Sequence, residues 1–596
     1  IKRGAYAWEA SLNAMSSERS VITIDGMRIY SACTDKMDPI TSYVEVSNLQ
    51  EAKVSSGQSG GEHGACTSGS IDLIQKKLPV EERLSFEFMS GGESNNQQKI
   101  IGTDAEFARG NFSLKANFMY RDAENYSAGK GEEVLYSGFT KYNAAVTSGF
   151  KLNEQESLEA AIIYDLAEDV GYPALPMDVS KAEAIIASFT FKRKQLTEAW
   201  KNWETKLYYN TIEHIMDDSN RPDVPIRMEM PGYSKTLGFY TKSERKWNEN
   251  LLKVNLSGHF NNSLAEMTMI SNNPLEPDMF MLTWPDVDTA VSGVFTSYKQ
   301  KLNQQFSLDY NLGFYLNNHR IKDALGLESL RIFYPEMQAT KTRILYNASI
   351  TFQHQKNAWK QGLTLATGTR APSVSEAFGF YLYNSFDGFD YIGNPNLPNE
   401  QSVEAAYSLE YKFKTLRITA NSNHFLIYDY IIGKPNASIG AMTIGAFGVK
   451  TYTPLTYARI WNNSLKIDYQ FTKTWGLSSR LRYSIGEDKQ GEYLPLIPPL
   501  NYDIVLNYHL PTLQLSLVVE GAADQSRFNP DFGENKTDAY TVAHLNISKS
   551  FRWEKKELQL SGGVQNMFDT YYSTFADWNN IPRMGRNFFV NLSFEL

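Results

Sequence analysis

Apolar and polar residues alternate with period two over long stretches of the chain. From Phe306 to Leu316 the even positions are Phe306, Leu308, Tyr310, Leu312, Phe314 and Leu316, while Ser307, Asp309, Asn311 and Gly313 take most of the odd ones. Phe112, Leu114, Ala116, Phe118 and Tyr120 alternate with Ser113, Lys115, Asn117 and Arg121, and Phe588, Val590, Leu592, Phe594 and Leu596 with Asn591, Ser593 and Glu595. Successive strand side chains point to opposite faces, so each segment predicts a strand with one greasy and one polar side. In a soluble sandwich the greasy side faces the core; in an outer-membrane barrel it faces lipid. No stretch approaches 18 consecutive apolar residues, which removes a helical span and leaves a closed barrel as the one way across a bilayer.

Length separates these readings. Strand patterns recur from about Arg83 to the last of 596 residues without a linker, whereas a soluble sandwich seldom exceeds about 250 residues. If the first 77 residues are set apart, the rest divides into 22 strands of about 24 residues each, connection included, enough for roughly ten in lipid. The 35 Tyr, 33 Phe and 10 Trp suit interfacial girdles. Tandem soluble β-domains or a large carbohydrate-active β-protein form the competing expectation. Lys plus Arg is 58 against 67 for Asp plus Glu, a net charge of −9, so no basic field exists to draw counterions off phosphates, and nucleic acid is not an expected partner. Two cysteines exclude a disulfide scaffold and a zinc-ribbon array.

Residues 1–77 read differently. They predict a strand at Val21–Ile24, a turn at Asp25-Gly26, a further strand, a Gly/Ser-rich stretch from Ser55 to Gly69 and a final strand at Ile71–Ile74. This is the pattern of a small mixed α/β domain ahead of the large one.

Ile1-Lys2-Arg3-Gly4, Ile24-Asp25-Gly26 and the run from Gly57 through Gly64 to Gly69-Ser70-Ile71-Asp72-Leu73 resemble the latter half of a plug domain of TonB-dependent outer-membrane receptors. Arg370-Ala371-Pro372, Gly393-Asn394-Pro395-Asn396-Leu397 and Glu400-Gln401-Ser402 are similar to that family's boundary between extracellular loop and strand. Val564-Gln565-Asn566-Met567-Phe568-Asp569, with the last strand, resembles its final hairpin. The resemblance spans the chain and departs at Leu596, where Phe is usual. It implies an all-β membrane protein of the Gram-negative outer membrane: a 22-stranded antiparallel transmembrane β-barrel over residues 78–596, closed by a plug over residues 1–77. It further implies the TonB complex as partner. The chain starts at Ile1 with neither Met nor a signal peptide, so the first part of the plug and the TonB-binding segment are expected ahead of it.

Two short sequences carry candidate chemistry. Cys33-Thr34-Asp35-Lys36-Met37 places a thiol and a thioether four apart, which share a face if the segment makes a helical turn. His214-Ile215-Met216 follows an alternating strand, and in extended chain i and i+2 point the same way. Each pair alone is equally well a packing pair, since free Cys is a small hydrophobe and Met fills gaps. Together, and with the flanking Met37-Asp38-Pro39 and Thr41-Ser42-Tyr43-Val44, they resemble the Cys-x3-Met and His-x-Met signature of the OprC/NosA-like copper receptors. Two thioethers, one thiolate and one imidazole are a soft set that selects Cu(I) over Mg(II), Ca(II) or Mn(II). One thiolate also neutralises a monovalent ion, whereas a divalent ion would leave an unpaired buried charge. Copper, as Cu(I), is therefore the expected substrate, held by Cys33, Met37, His214 and Met216.

Six of the 17 methionines, Met228, Met230, Met267, Met269, Met279 and Met281, lie between residues 228 and 281. They are expected either to collect soft metal at low affinity or simply to pack loops. His63 is a further candidate contact. Cys66 leaves two fates open for Cys33, a free thiol or a disulfide between them. Haem receptors of the family carry a His between the Arg-Ala-Pro and Asn-Pro-Asn-Leu boxes, and residues 373–393 contain none. A ferric-siderophore receptor, and an interaction barrel paired with a surface lipoprotein, are the alternatives. Gly57-Gln58-Ser59-Gly60-Gly61 matches Gly-x-Ser-x-Gly, but no alternating strand and helix pattern surrounds it, so no enzyme is expected.

Overall fold

The computed structural model describes the chain over residues 1–596 except Ile1, Arg3, Ala5, Ala7, Asp223, Pro225, Asn272, Pro274, Glu276 and Lys555. Part of the Ile1–Gly4 motif thus lies outside the described residues. From Arg83–Glu93 to Asn587–Glu595, 22 long strands pair antiparallel with their chain neighbours, and the last closes on the first with Phe594 opposite Phe88. Closure removes every edge, the condition lipid imposes on a spanning sheet. A further hairpin, Leu382–Asn384 with Phe389–Ile392, lies in the connection from Arg370 to Glu400 and adds to the start of Val449–Gln470 in parallel.

The alternation seen in the sequence is the inside–outside alternation of the wall. On Phe306–Ile321, Leu312, Phe314 and Leu316 are half exposed while Tyr315, Asn317 and His319 are buried. The greasy side is the outer one, against the sandwich reading, and the buried positions face the lumen. Connections alternate in length: Gly110-Asn111, Asn248-Glu249 and Asn357-Ala358 are tight turns, whereas residues 124–138, 322–339 and 371–399 are long loops. In outer-membrane barrels short turns mark the periplasmic end and long loops the extracellular one. Near the short turns Trp247 stacks on Tyr298, with ring centroids 5.5 Å apart, and Phe306 on Phe352 at 5.4 Å, as an interfacial girdle requires.

The lumen holds a four-stranded sheet of order Met27–Arg28, Ser20–Ile24, Gly69–Gln75, Leu49–Ser56, with the middle pair parallel. Asp25 and Gly26 both have positive φ, +49° and +75°, the two-residue hairpin turn that Asp-Gly favours. The strand expected after it is only two residues long, because the chain leaves the sheet to run under the extracellular loops. Polar wall residues grip the plug backbone: Lys141 Nζ donates to Ser42 O (2.9 Å), Asn143 Nδ2 to Tyr43 O (3.1 Å) and Asn210 Nδ2 to Arg28 O (3.2 Å). Ser59 sits in the short helical stretch Gly57–His63 rather than on a strand-to-helix elbow.

Candidate metal centre

Cys33 and Met37 lie in the plug segment between Arg28 and the 3-10 turn Ile40–Tyr43. The segment is not the helical turn expected from the i, i+4 spacing. Lys36 N–H donates to Cys33 O at 3.3 Å with Lys36 at φ +56°, a tight turn that folds Met37 back until its N–H donates to Cys33 Sγ at 3.4 Å. The two sulfur residues still meet, by a β-turn with a left-handed residue instead of a helix.

His214 and Met216 occupy the extracellular end of the strand Trp200–Asp217. Its buried, lumen-facing positions are Tyr208, Asn210, Ile212, His214 and Met216, while Leu207 and Tyr209 face outward. The period-two expectation thus puts both side chains on the plug side. Cys33 Sγ lies 3.8 Å from Met216 Sδ, and Cys33, Met37 and Met216 share one buried cluster with Tyr172, Leu175, Met177 and Trp578. Cys33 Sγ, a ring nitrogen of His214 and a carboxylate oxygen of Asp38 all lie within 4.8 Å of one another. All four expected residues converge, and a fifth, Asp38, joins them.

Asp38 was legible in the sequence only as a flank of Met37. Tyr43 OH donates to its Oδ2 at 2.7 Å, while its Oδ1 and the His214 Nε2 are buried without a hydrogen-bond partner. Burial pushes the Asp38 carboxyl up to about 7. Burial likewise pushes the Cys33 thiol well above its ordinary range, with Asp35 and Asp38 adding to the effect. Two buried polar atoms without partners beside a thiol form a pocket that a cation would satisfy, since such atoms cost on the order of 1–3 kcal/mol each. Asp38 also changes the charge argument made from sequence: the pocket holds two ionisable acids, not one.

The remaining candidates fall into two groups. Met216 pairs with Met230, Met228 with Met269, Met267 with Met281 and Met269 with Met279 on neighbouring strands. Met267, Met269 and Met281 are buried in one cluster, and Met228 and Met230 pack against both it and the Cys33 cluster. His63 stands apart, 3.9 Å from Asp72. Cys66 is buried and free, as is Cys33, so the disulfide is not formed.

An extracellular loop covers the pocket. Tyr172 OH donates to Met37 O at 2.5 Å. Arg221 grips Asp178 through Nε at 2.8 Å and Nη2 at 2.5 Å, and its Nη2 also donates to Tyr172 O at 3.0 Å. The Arg221 guanidinium lies 3.5 Å from the Tyr136 ring centroid. Nothing in sequence spacing marked these residues, because they meet only through loop packing.

The sequence family described as TonB dependent receptor-like, beta-barrel matches residues 88–567. No curated protein matches the chain in sequence. Among solved structures, the chain is similar over its whole length to the copper transporter OprC, covering 96% of that chain at 20% identity and TM-score 0.88. It is similar over 98% of its length to the siderophore receptor PirA from Acinetobacter baumannii, covering 91% of that chain at 14% identity and TM-score 0.73. It is similar over its whole length to the Serratia marcescens hemophore receptor HasR, covering 95% of that chain at 14% identity and TM-score 0.75. These likenesses show that the chain shares the fold of those structures. Barrel, plug and family match together place the chain in the TonB-dependent receptor family, as a transporter, not an enzyme, of the Gram-negative outer membrane that works with TonB.

Proposed function

We propose that this receptor imports copper, bound as Cu(I) between plug and barrel by Cys33, Met37, His214 and Met216. The observation that carries the reading is the 3.8 Å approach of Cys33 Sγ to Met216 Sδ beside an unpartnered His214 nitrogen. Soft sulfur donors with an imidazole prefer Cu(I) to hard divalent ions. The name of the OprC structure, a copper transporter, agrees with this chemistry. Met228, Met230, Met267 and Met269 supply secondary, weaker contacts on the wall beside the pocket.

The donor geometry suggests how release follows capture. Cys33 and Met37 belong to the plug; His214 and Met216 belong to the wall. A pull on the plug by TonB divides the donor set, and a centre with half its ligands holds its ion weakly. Tyr172 and Leu175 of the extracellular loop already pack over the pocket on one side, so capture of the ion is proposed to need no protein partner such as the hemophore in the HasR structure.

The second reading, a receptor for a ferric siderophore or other metal chelate, draws on a lumenal cavity of about 360 Å³ that adjoins the pocket at Cys33 and Asp35 and whose lining extends to Trp284, Tyr383, Tyr391 and Tyr452. The Arg370 that borders it is committed to Glu376 and Glu400 and offers little to an anionic chelate. Metal analysis of the purified protein with an anomalous scan at the copper edge decides. One copper in the Cys33–Met216 pocket supports the proposal; an empty pocket with ferric chelate bound in the aromatic cavity overturns it.

A further inference from the structure

Resting on the proposal that the pocket binds a metal, we infer that Asp38 is a donor as well, and that with Cys33 and His214 it forms a second, overlapping face that takes a borderline divalent cation. Three observations carry this. One atom each from Cys33, Asp38 and His214 lie within 4.8 Å of one another, a spread that one ion closes with small rotamer changes. Asp38 is 1% exposed, and its Oδ1 has no partner although Oδ2 is anchored by Tyr43. His214 is equally buried, and its Nε2 has none either.

The donor chemistry then divides in two. Thiolate and two thioethers suit a monovalent soft ion; thiolate, imidazole and carboxylate are the donors that zinc and cobalt take. A thiolate and a carboxylate that donate together match the charge of a divalent ion, where one thiolate matches a monovalent one. Tyr43 holds the carboxylate toward the pocket, and Asn143 fixes Tyr43 by donating to its carbonyl at 3.1 Å. Asp38 thus tunes which oxidation state or metal the receptor retains.

The test titrates the intact receptor in detergent with two probes: Ag(I), a redox-inert monovalent soft ion, and Co(II), whose thiolate charge-transfer band reports coordination. Wild type is expected to bind both. Asp38→Asn, which keeps the shape and an amide for Tyr43, is expected to lose Co(II) affinity by about tenfold or more while Ag(I) affinity moves by less than about threefold. Equal Co(II) binding by wild type and Asp38→Asn overturns the inference, as does a wild type that takes Ag(I) but no Co(II). Failure to bind either ion sinks the metal pocket itself and the inference with it. Should Asp38→Asn lose both ions, a crystal structure of the wild-type Co(II) complex decides: an Asp38 carboxylate oxygen at about 2.0–2.2 Å from the ion supports Asp38 as donor, and an ion held without it excludes it.

Discussion

Cys33 of the plug and Met216 of the barrel wall are 183 residues apart in the chain, yet their sulfurs lie 3.8 Å apart in a buried pocket. Two sulfurs at that distance are in packing contact, which a purely structural pair would also make. What the packing reading leaves unexplained is the company they keep, an imidazole nitrogen and a carboxylate oxygen buried beside them without partners.

The first expected outcome follows from that pair. Cys33→Ser replaces a thiolate with a hydroxyl, a poor donor for a soft ion. Bound copper per receptor, measured by mass spectrometry of the metal after dialysis, should fall from near one to background. Unchanged stoichiometry would remove Cys33 from the centre and most of the case for copper.

The wall half of the centre is tested by stability. An ion that binds only the native arrangement stabilises it by about 2.7 kcal/mol at a hundredfold excess over Kd. Thermal unfolding with Ag(I) should show this gain in wild type and much less in the His214→Ala/Met216→Ala double variant. Both residues are buried, so the double variant should melt lower even without metal, and the comparison is the shift that each protein shows on adding Ag(I). Equal protection of both would mean that the ion is not held between plug and barrel.

Legibility in the sequence followed range. The strand Phe306–Ile321 and its greasy outer face were readable because period-two alternation is local. His214 and Met216 were readable as a same-face pair for the same reason. The Cys33–Met37 meeting was expected on a helical turn, but the residues meet through a β-turn at Lys36, since four-residue spacing does not distinguish the two. Asp38 and the Arg221–Asp178 clasp were not readable as parts of the pocket. Their roles depend on which loops come to lie over the plug, and no short-range pattern encodes that.

Cys66 is a control. Burial pushes its thiol up to about 12, and neither cysteine is oxidised in the structure. Alkylation after denaturation without reductant should label both thiols, and Cys66→Ala should leave copper stoichiometry intact. A peptide cross-linked from Cys33 to Cys66 as the main species would contradict the free-thiol centre.

The loop over the pocket should govern exchange. Asp178 and Arg221 are both more than nine-tenths buried, and removing one partner of a buried pair costs about 3–5 kcal/mol. Asp178→Asn leaves Arg221 uncompensated and loosens the loop that carries Tyr172 onto Met37 O. Hydrogen exchange over residues 171–177 should quicken, and Ag(I) should leave faster, while the barrel strands keep their protection. An unaltered off-rate despite a loosened loop would show that the ion leaves by another route.

The Arg370–Glu376 pair sets the response to acid. Arg370 donates through Nη1 to Glu376 Oε2 at 2.7 Å and through Nη2 to Oε1 at 3.0 Å, and its Nε reaches Glu400 at 2.9 Å. Glu400 in turn pairs with Arg19 of the plug at 2.6 Å. Burial by itself would raise the Glu376 carboxyl, but Arg370 and then Arg19 outweigh it and hold it at about 2, against an ordinary 4.5. A carboxylate lowered on folding adds stability that is fully present above its unfolded value and lost as pH falls through the folded one. Protease protection of the loop 371–399 should therefore stay level from pH 7 down to about 4.5 and fall between there and about 2. Glu376→Gln should lower protection at pH 7, by about 1.5 to 3 kcal/mol for the charged hydrogen bonds lost, and flatten the acid limb. An acid limb that persists in Glu376→Gln would assign the transition to another group.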